Sequence, residues 1–352
     1  MNQTMRAWQA TAYGAAESCL HLASIPRPEP GAGEVRLQVQ AASLNPIDFK
    51  LLNGSLRRIQ RLSFPVTLGF DACGVIDAIG AGAGRFRIGD RVFVRASRDS
   101  LGAFAEYTVQ PEQFVALAPV NADAAEAASL PLVALTTVQG LVDRAHARPG
   151  QRILIHAGSG GLGSFAIQYS RHLGLMVDTT TSSRNSEWVK TLGAHNVIAY
   201  DHEDYRQVGP VYDIVFDTLG GAHTLDAFSL LKPGGCVVSV AGPPDHEMAD
   251  RFGGNVVARS VMKFMARNVY AAAKHKQARY YRYLTESNGA QLSSVAALVE
   301  RGVIRPVVDR VYAFEDCVAA FEYLIAGRAR GKVVIDMQDK SKSQTSGSPD
   351  RT

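Results

Sequence analysis

The chain has 352 residues, 46% of them apolar and 20% charged, with a formal net charge of +4. That length suits two globular domains rather than one small one. Lys and Arg are scattered rather than massed, which leaves no electrostatic footprint for nucleic acid, and no apolar run reaches the roughly 18 residues of a membrane span.

The opening segment MNQTMRAWQA carries no charged leader followed by an apolar core. A cytoplasmic protein without a secretory signal is therefore expected. Residues 1–120 read as β-rich. Glu34 to Val39 and Phe104 to Val109 alternate polar and apolar residues, as half-buried strands do. Pro26, Pro28, Pro30, Gly31, Gly33, Gly80, Gly82, Gly84 and Gly89 punctuate the segment with turns.

The character changes near residue 122. The run Ala122-Asp123-Ala124-Ala125-Glu126-Ala127-Ala128 favours helix and stops at Pro131, and Leu132 to Ala145 reads as a second helix. Strands are expected at 152–157, 175–180, 196–199, 212–216, 235–240 and near 280–285, with helices between them. Such alternation predicts a parallel sheet covered on both faces. Helices at 292–300 and 315–326 and a strand at 331–335 close the fold, and the polar tail 339–352 is expected to be disordered. No internal repeats are found. Cys19, Cys73, Cys236 and Cys317 lie far apart, with no CxxC. They read as buried small hydrophobes in a reducing compartment rather than a disulfide framework or zinc site.

The richest stretch is GQRILIHAGSGGLGSFAIQYSR, residues 150–171. An apolar strand runs into Gly158-Ser159-Gly160-Gly161-Leu162-Gly163, and a helix is expected to open at Ser164. This order sets bare N–H groups and a helix N-terminus against a pyrophosphate. Gly158 permits the tight turn, Gly160 the approach of the phosphates, and Gly163 the packing of helix on strand.

The same stretch is similar to the signature of the quinone oxidoreductase/ζ-crystallin family, a zinc-free branch of the medium-chain dehydrogenase/reductases. Gly150-Gln151, Leu154, the glycine turn, Gln168 and Arg171 carry the match. Further matching pieces are Asn45 to Lys50, Gly69 to Val75, Arg87 to Phe93, Leu135 to Thr137, Asp217 to Gly221 and Gly327 to Lys332. The resemblance implies an α/β fold: a GroES-like β-rich catalytic domain plus a Rossmann doubly wound parallel sheet. Residues 1–125 and 288–338 would build the catalytic domain and residues 126–287 the dinucleotide-binding domain.

In the zinc alcohol dehydrogenases of this superfamily a Cys and a Gly-His-Glu supply catalytic ligands. Here the first region reads Asn45-Pro46-Ile47-Asp48, and the second reads Gly69-Phe70-Asp71. Val94 to Leu101, where the structural-zinc lobe would lie, has no cysteine. No metal is expected. Without a Lewis acid, hydride transfer to an already electrophilic quinone or enone is the better fit.

An acid at the end of the second Rossmann strand would select NAD. Asp178 falls too early, within the strand, and the strand end offers Ser182, Ser183 and Arg184. Hydroxyls and a guanidinium suit a 2′-phosphate, so NADP(H) is expected. By resemblance Tyr200 joins them. The resemblance also sets Asn45, Asp48 and Lys50 beside the nicotinamide and substrate. Asn45 could donate to the substrate carbonyl, Lys50 could stabilise the enolate or touch the nicotinamide ribose, and Asp48 could orient Lys50. The same residues also read as a turn and a helix N-cap. Thr137, Thr218, Ala241 and Gly242 are expected to line the cofactor, and Arg330 and Lys332 to face its phosphates or ribose. The expected partner is a small-molecule quinone or enone. Monomer and homodimer both remain open. A non-catalytic, crystallin-like NADPH-binding protein is the alternative. RNA binding, also known in the family, sits poorly with the dispersed charge.

Overall fold

The computed structural model describes residues 3–57, 60–244, 248 and 256–338. The tail expected to be disordered lies outside these residues, as do 245–247 and 249–255.

The N-terminal half contributes β1 (Thr4–Ala10), β2 (Leu20–Pro26), β3 (Glu34–Leu44), β4 (Val66–Thr67), β5 (Asp71–Ile79), β6 (Arg91–Arg95), β7 (Tyr107–Pro111) and β8 (Val115–Leu117). The middle of the chain forms β9 (Arg152–Ile155), β10 (Met176–Thr181), β11 (Asn196–Ala199), β12 (Tyr212–Asp217), β13 (Leu231–Ser239) and β14 (Arg279–Arg282). Two late strands follow, β15 (Val308–Ala313) and β16 (Lys332–Asp336).

Strands β9 to β14 form one six-stranded sheet in the order β11-β10-β9-β12-β13-β14, every pair parallel. This is the doubly wound Rossmann order, with its crevice where the order reverses between β9 and β12. The chain then returns to the N-terminal sheet: β16 pairs antiparallel with β3, and β15 parallel with β16. The resulting GroES-like sheet runs β15-β16-β3-β5-β6-β8, with β7 also on β3. That return brings Lys332 to the same place as Leu44 and Asn45, because Val333 pairs with Leu44.

Several boundaries differ from those read in the sequence. Pro131 does not merely end a helix. It opens the next one, Pro131–Val138, at its first position, where its missing N–H costs nothing. The second helix is not uniform to Ala145; residues 139–144 form a π-turn. The strand expected from Phe104 begins at Tyr107, and Ala105 makes only an isolated bridge to Ala7. All four cysteines are buried free thiols.

Candidate active site

The helix after β9 runs Gly161–His172, with Gly160 as its N-cap. It therefore starts three residues earlier than expected, so Gly161, Leu162 and Gly163 form its first turn. Their N–H groups are among the four a helix leaves without intrahelical partners, and these residues line the cleft. The glycines answer to different neighbours. A Cβ on Gly158 would stand 2.1 Å from Thr179 Oγ1, and one on Gly163 2.3 Å from Ala157 O. A Cβ on Gly160 would meet only Ala157 O, at 3.5 Å, and would project into the cleft. Nothing in the fold itself excludes a side chain there. The residues fit a pyrophosphate: bare backbone, helix N-terminus and an open face. Ser159 lies between them, its carbonyl accepting from Gly331 N at 3.1 Å.

The crevice is braced by one buried carboxylate. Asp217, at the end of β12, accepts from Thr224 Oγ1 at 2.6 Å and Ser239 Oγ at 2.7 Å. It also takes the N–H groups of Leu219 and Gly220 and faces His156 Nδ1 at 3.3 Å. Burial raises its pKa, but His156 and these donors outweigh it and hold the group well below the usual carboxylate range. Ser239 in turn takes the N–H groups of Ala241 and Gly242. Thr218 donates to His156 O at 3.0 Å. Thr218, Ala241 and Gly242 all line the cleft.

At the end of β10, Asp178 is spent on structure: it pairs with Arg152 at 2.7 Å and Tyr212 at 2.9 Å inside the sheet. Beyond it lies a carboxylate that the sequence of the strand end does not show. The strand end is not free of carboxylates, because Asp201 accepts from Ser183 N at 2.8 Å and Ser183 Oγ at 2.7 Å. Those bonds hold Asp201 below the usual carboxylate range. Asp201 comes from the chain beyond β11, which pairs in parallel with β10. Tyr200 arrives by the same route, its N–H donating to Thr181 O at 3.0 Å. Arg184 and Tyr200 are exposed here, and Ser182 accepts from Asn185 at 3.2 Å.

The other end of the cleft holds a buried polar cluster. Lys332, 5% exposed, donates to Asn45 Oδ1 at 2.5 Å and to Asp71 Oδ2 at 3.2 Å. Asn45 Nδ2 donates to the same Asp71 oxygen at 2.8 Å and to Ser43 O at 3.4 Å. Asp71 also accepts from Ser43 Oγ and from Leu132 N. Both ends of the Asn45 amide are thus committed inside the protein, and Asn45 has no N–H left for a substrate carbonyl.

Asp48 likewise departs from its expected role. It caps the helix Pro46–Leu52, accepting from Asn45 N at 2.7 Å, and makes no bond to Lys50. Burial pushes its carboxyl up to about 8, so it is held protonated and neutral at neutral pH. Of the three, Lys50 alone keeps its polar end towards solvent at the cleft. Thr137 does not line the cleft. It is fully buried and donates to Val133 O at 2.8 Å, whereas Thr136 lines the cleft and meets Thr285 at 2.7 Å. Arg330 is exposed beside the cleft residues Ala329 and Gly331.

These parts enclose one cleft of about 530 Å³ running from the glycine turn to Lys50 and Arg282. The description "Alcohol dehydrogenase GroES-like domain" matches residues 31–120, and "Zinc-binding dehydrogenase" matches residues 192–335. The 2-methylene-furan-3-one reductase of Solanum lycopersicum is 31% identical over 344 residues, covering 94% of this chain and 79% of the relative. The chain belongs to the medium-chain dehydrogenase/reductase family. It is a pyridine-nucleotide-dependent oxidoreductase of that family. The chloroplastic NADPH-dependent alkenal/one oxidoreductase of Arabidopsis thaliana is 32% identical, covering 94% of this chain and 79% of the relative. A quinone oxidoreductase from Coxiella burnetii superposes with a TM-score of 0.83 at 32% identity, covering 96% of this chain and all of that one (100%).

The family description implies zinc, and the residues here do not fit it. Asn45 and Asp71 already share the Lys332 ammonium, Phe70 offers a ring capped by the Arg95 guanidinium at 4.9 Å, and burial pushes the Cys73 thiol up to about 12. No group of three or more His, Cys, Asp or Glu could hold a metal among the described residues. Likewise, no helix among them is long and apolar enough to cross a membrane.

Proposed function

We infer that this oxidoreductase reduces quinones or α,β-unsaturated carbonyls with NADPH and without a metal. The observation that carries this reading is a glycine turn built for a pyrophosphate at one end of the cleft, joined to a reacting end where an ammonium stands in place of a zinc site. NADPH held along the cleft would supply a hydride to the substrate's β-carbon; the C=C pair would shift to the bond between the α-carbon and the carbonyl carbon as the carbonyl π pair moves onto oxygen, and a solvent proton at the α-carbon would complete the saturated product.

The chain's own residues orient and stabilise. Gly160 and the first helical turn hold the phosphates. The Asp217 network fixes Thr218, Ala241 and Gly242 against the nicotinamide side. Lys50 faces the growing enolate charge, where a fixed cation is worth most as water leaves. Asn45 and Lys332 shape the floor rather than exchange protons.

Arg184 is the residue proposed to meet the 2′-phosphate. Arg184→Ala should raise the KM for NADPH about tenfold or more, and that for NADH little, since only NADPH loses a charge-assisted pair. Asp201 opposes a phosphate beside Ser183, so some use of NADH is expected. Equal effects on both cofactors would remove Arg184 from that site. The activity itself is tested by steady-state oxidation of NADPH with a panel of enones and 9,10-phenanthrenequinone. Tight NADPH binding with no turnover of any of them would favour the non-catalytic alternative.

A further inference from the structure

Among the described residues, Lys50 is the one amine or hydroxyl of the cleft wall that no neighbour engages. Thr218 donates to His156 O at 3.0 Å, Thr136 and Thr285 bond each other at 2.7 Å, and Tyr283 donates to Thr136 O. Lys332 is held by Asn45 and Asp71. The four cysteines are buried, and none lines the cleft. No hydrogen bond or ion pair holds Lys50 Nζ.

Local structure explains how an amine comes to stand there alone. The helix Pro46–Leu52 carries Lys50 in its last turn, one turn beyond Ile47. Ile47 and Leu56 line the cleft with it, and Leu56 N donates to Lys50 O at 3.3 Å. Asp48, on the same helix, is turned inward as the cap. The charged group whose field reaches Lys50 is Arg282, at the end of β14. Burial and the Arg282 charge both lower the Lys50 pKa, so more of this amine is unprotonated at neutral pH than in an ordinary lysine. A lysine partly desolvated among apolar groups and set beside another cation is a nucleophile towards carbonyl carbon.

We propose that Lys50 is a covalent capture site for aldehydes that enter the cleft. The Nζ lone pair attacks the aldehyde carbon and the C=O π pair moves onto oxygen. The carbinolamine then loses water, its second hydrogen coming from Nζ, and a Schiff base remains. Water reverses each step, and nothing is oxidised or reduced. Ketones condense with amines far less readily. On the reductase reading above, a conjugated aldehyde would therefore be both a substrate and a reversible block of the cleft, and a conjugated ketone a substrate only. The capture itself does not depend on that reading.

The test is reductive trapping on the full-length protein. It is incubated at neutral pH with hexanal, a saturated aldehyde with no alkene to reduce, and sodium cyanoborohydride, which fixes a Schiff base as hexyl-lysine. Digestion and peptide mass spectrometry read which lysines carry the label, and how fast. Lys50 should be labelled severalfold ahead of every other lysine, and 2-hexanone should leave it unlabelled. Lys50→Arg keeps the charge and should lose the fast labelling. Arg282→Gln should slow labelling at Lys50 alone, because without the neighbouring cation more of the amine stays protonated. Labelling of Lys50 no faster than of the other lysines, or fast labelling that survives in Lys50→Arg, would overturn the proposal. Fast labelling of Lys50 in a protein that turns over no enone would leave the capture standing and the reductase reading fallen; enone turnover without that labelling would do the reverse. The wild-type map needs no variant, so poor folding of Arg282→Gln does not blunt it.

Discussion

Replacing Lys332 by methionine is expected to destabilise the protein by about 3–5 kcal/mol. The ammonium is buried and answers two groups, Asn45 Oδ1 and Asp71 Oδ2, from strands that the chain brings together only through the pairing of β16 with β3. Burial lowers the Lys332 pKa and Asp71 raises it back in part. Removing the cation leaves Asp71 as a buried, unbalanced charge whose remaining donors are neutral. The penalty is the abandoned carboxylate rather than the lost bond. Thermal melts should therefore show a fall of at least about 5 °C for Lys332→Met. Adding Asp71→Asn should recover much of it. A single variant as stable as wild type, or a double variant no better than the single, would show that the cluster is not held by that charge pair.

The second large effect separates cofactor binding from folding. Gly163→Ala sets a methyl 2.3 Å from the carbonyl oxygen of Ala157, with backbone on both sides and nowhere to move. Its cost is expected to be about 3 kcal/mol or more, as severe overpacking gives. Gly160→Ala meets no such neighbour, and its φ of −78° is ordinary for alanine. The loss of a favourable N-cap residue and the gain from a stiffer unfolded chain oppose each other, so stability should stay within about 1 kcal/mol. The methyl would nevertheless stand where phosphate oxygens approach the helix N-terminus. Losing one or two charge-assisted bonds there should raise the Kd for NADPH about tenfold to a hundredfold. Fluorescence titration with NADPH and thermal melts read both quantities on the same samples. Unchanged affinity in Gly160→Ala would put the pyrophosphate elsewhere.

What the sequence made legible was local. The glycine turn is six consecutive residues between a strand and a helix, so its geometry needed no distant information. The parallel sheet followed from strand-helix alternation. The two-ended catalytic domain followed from family resemblance. What stayed hidden was set by other elements. Asp71 and Lys332 meet across 261 positions of sequence, and no spacing rule connects them. Asp201 reaches Ser183 because β11 lies beside β10, while the strand end alone shows only hydroxyls and Arg184. The resemblance points to Thr137, but Thr136 lines the cleft, because one position along a helix turns a side chain by about 100°. Asp48 reads both as a cap and as a residue that orients Lys50 until its surroundings show a buried N-terminal cap.

The reaction proposed for this cleft is a metal-independent hydride transfer from NADPH to a conjugated carbonyl. Its most direct measurement is turnover of an enone with NADPH deuterated at C4, in the presence and absence of a strong chelator, with the product analysed by mass spectrometry and NMR. One deuterium is expected at the former β-carbon and none at the α-carbon, with a rate the chelator leaves unchanged. A rate abolished by the chelator and restored by zinc, or deuterium at the carbonyl carbon of an allylic alcohol, would contradict it.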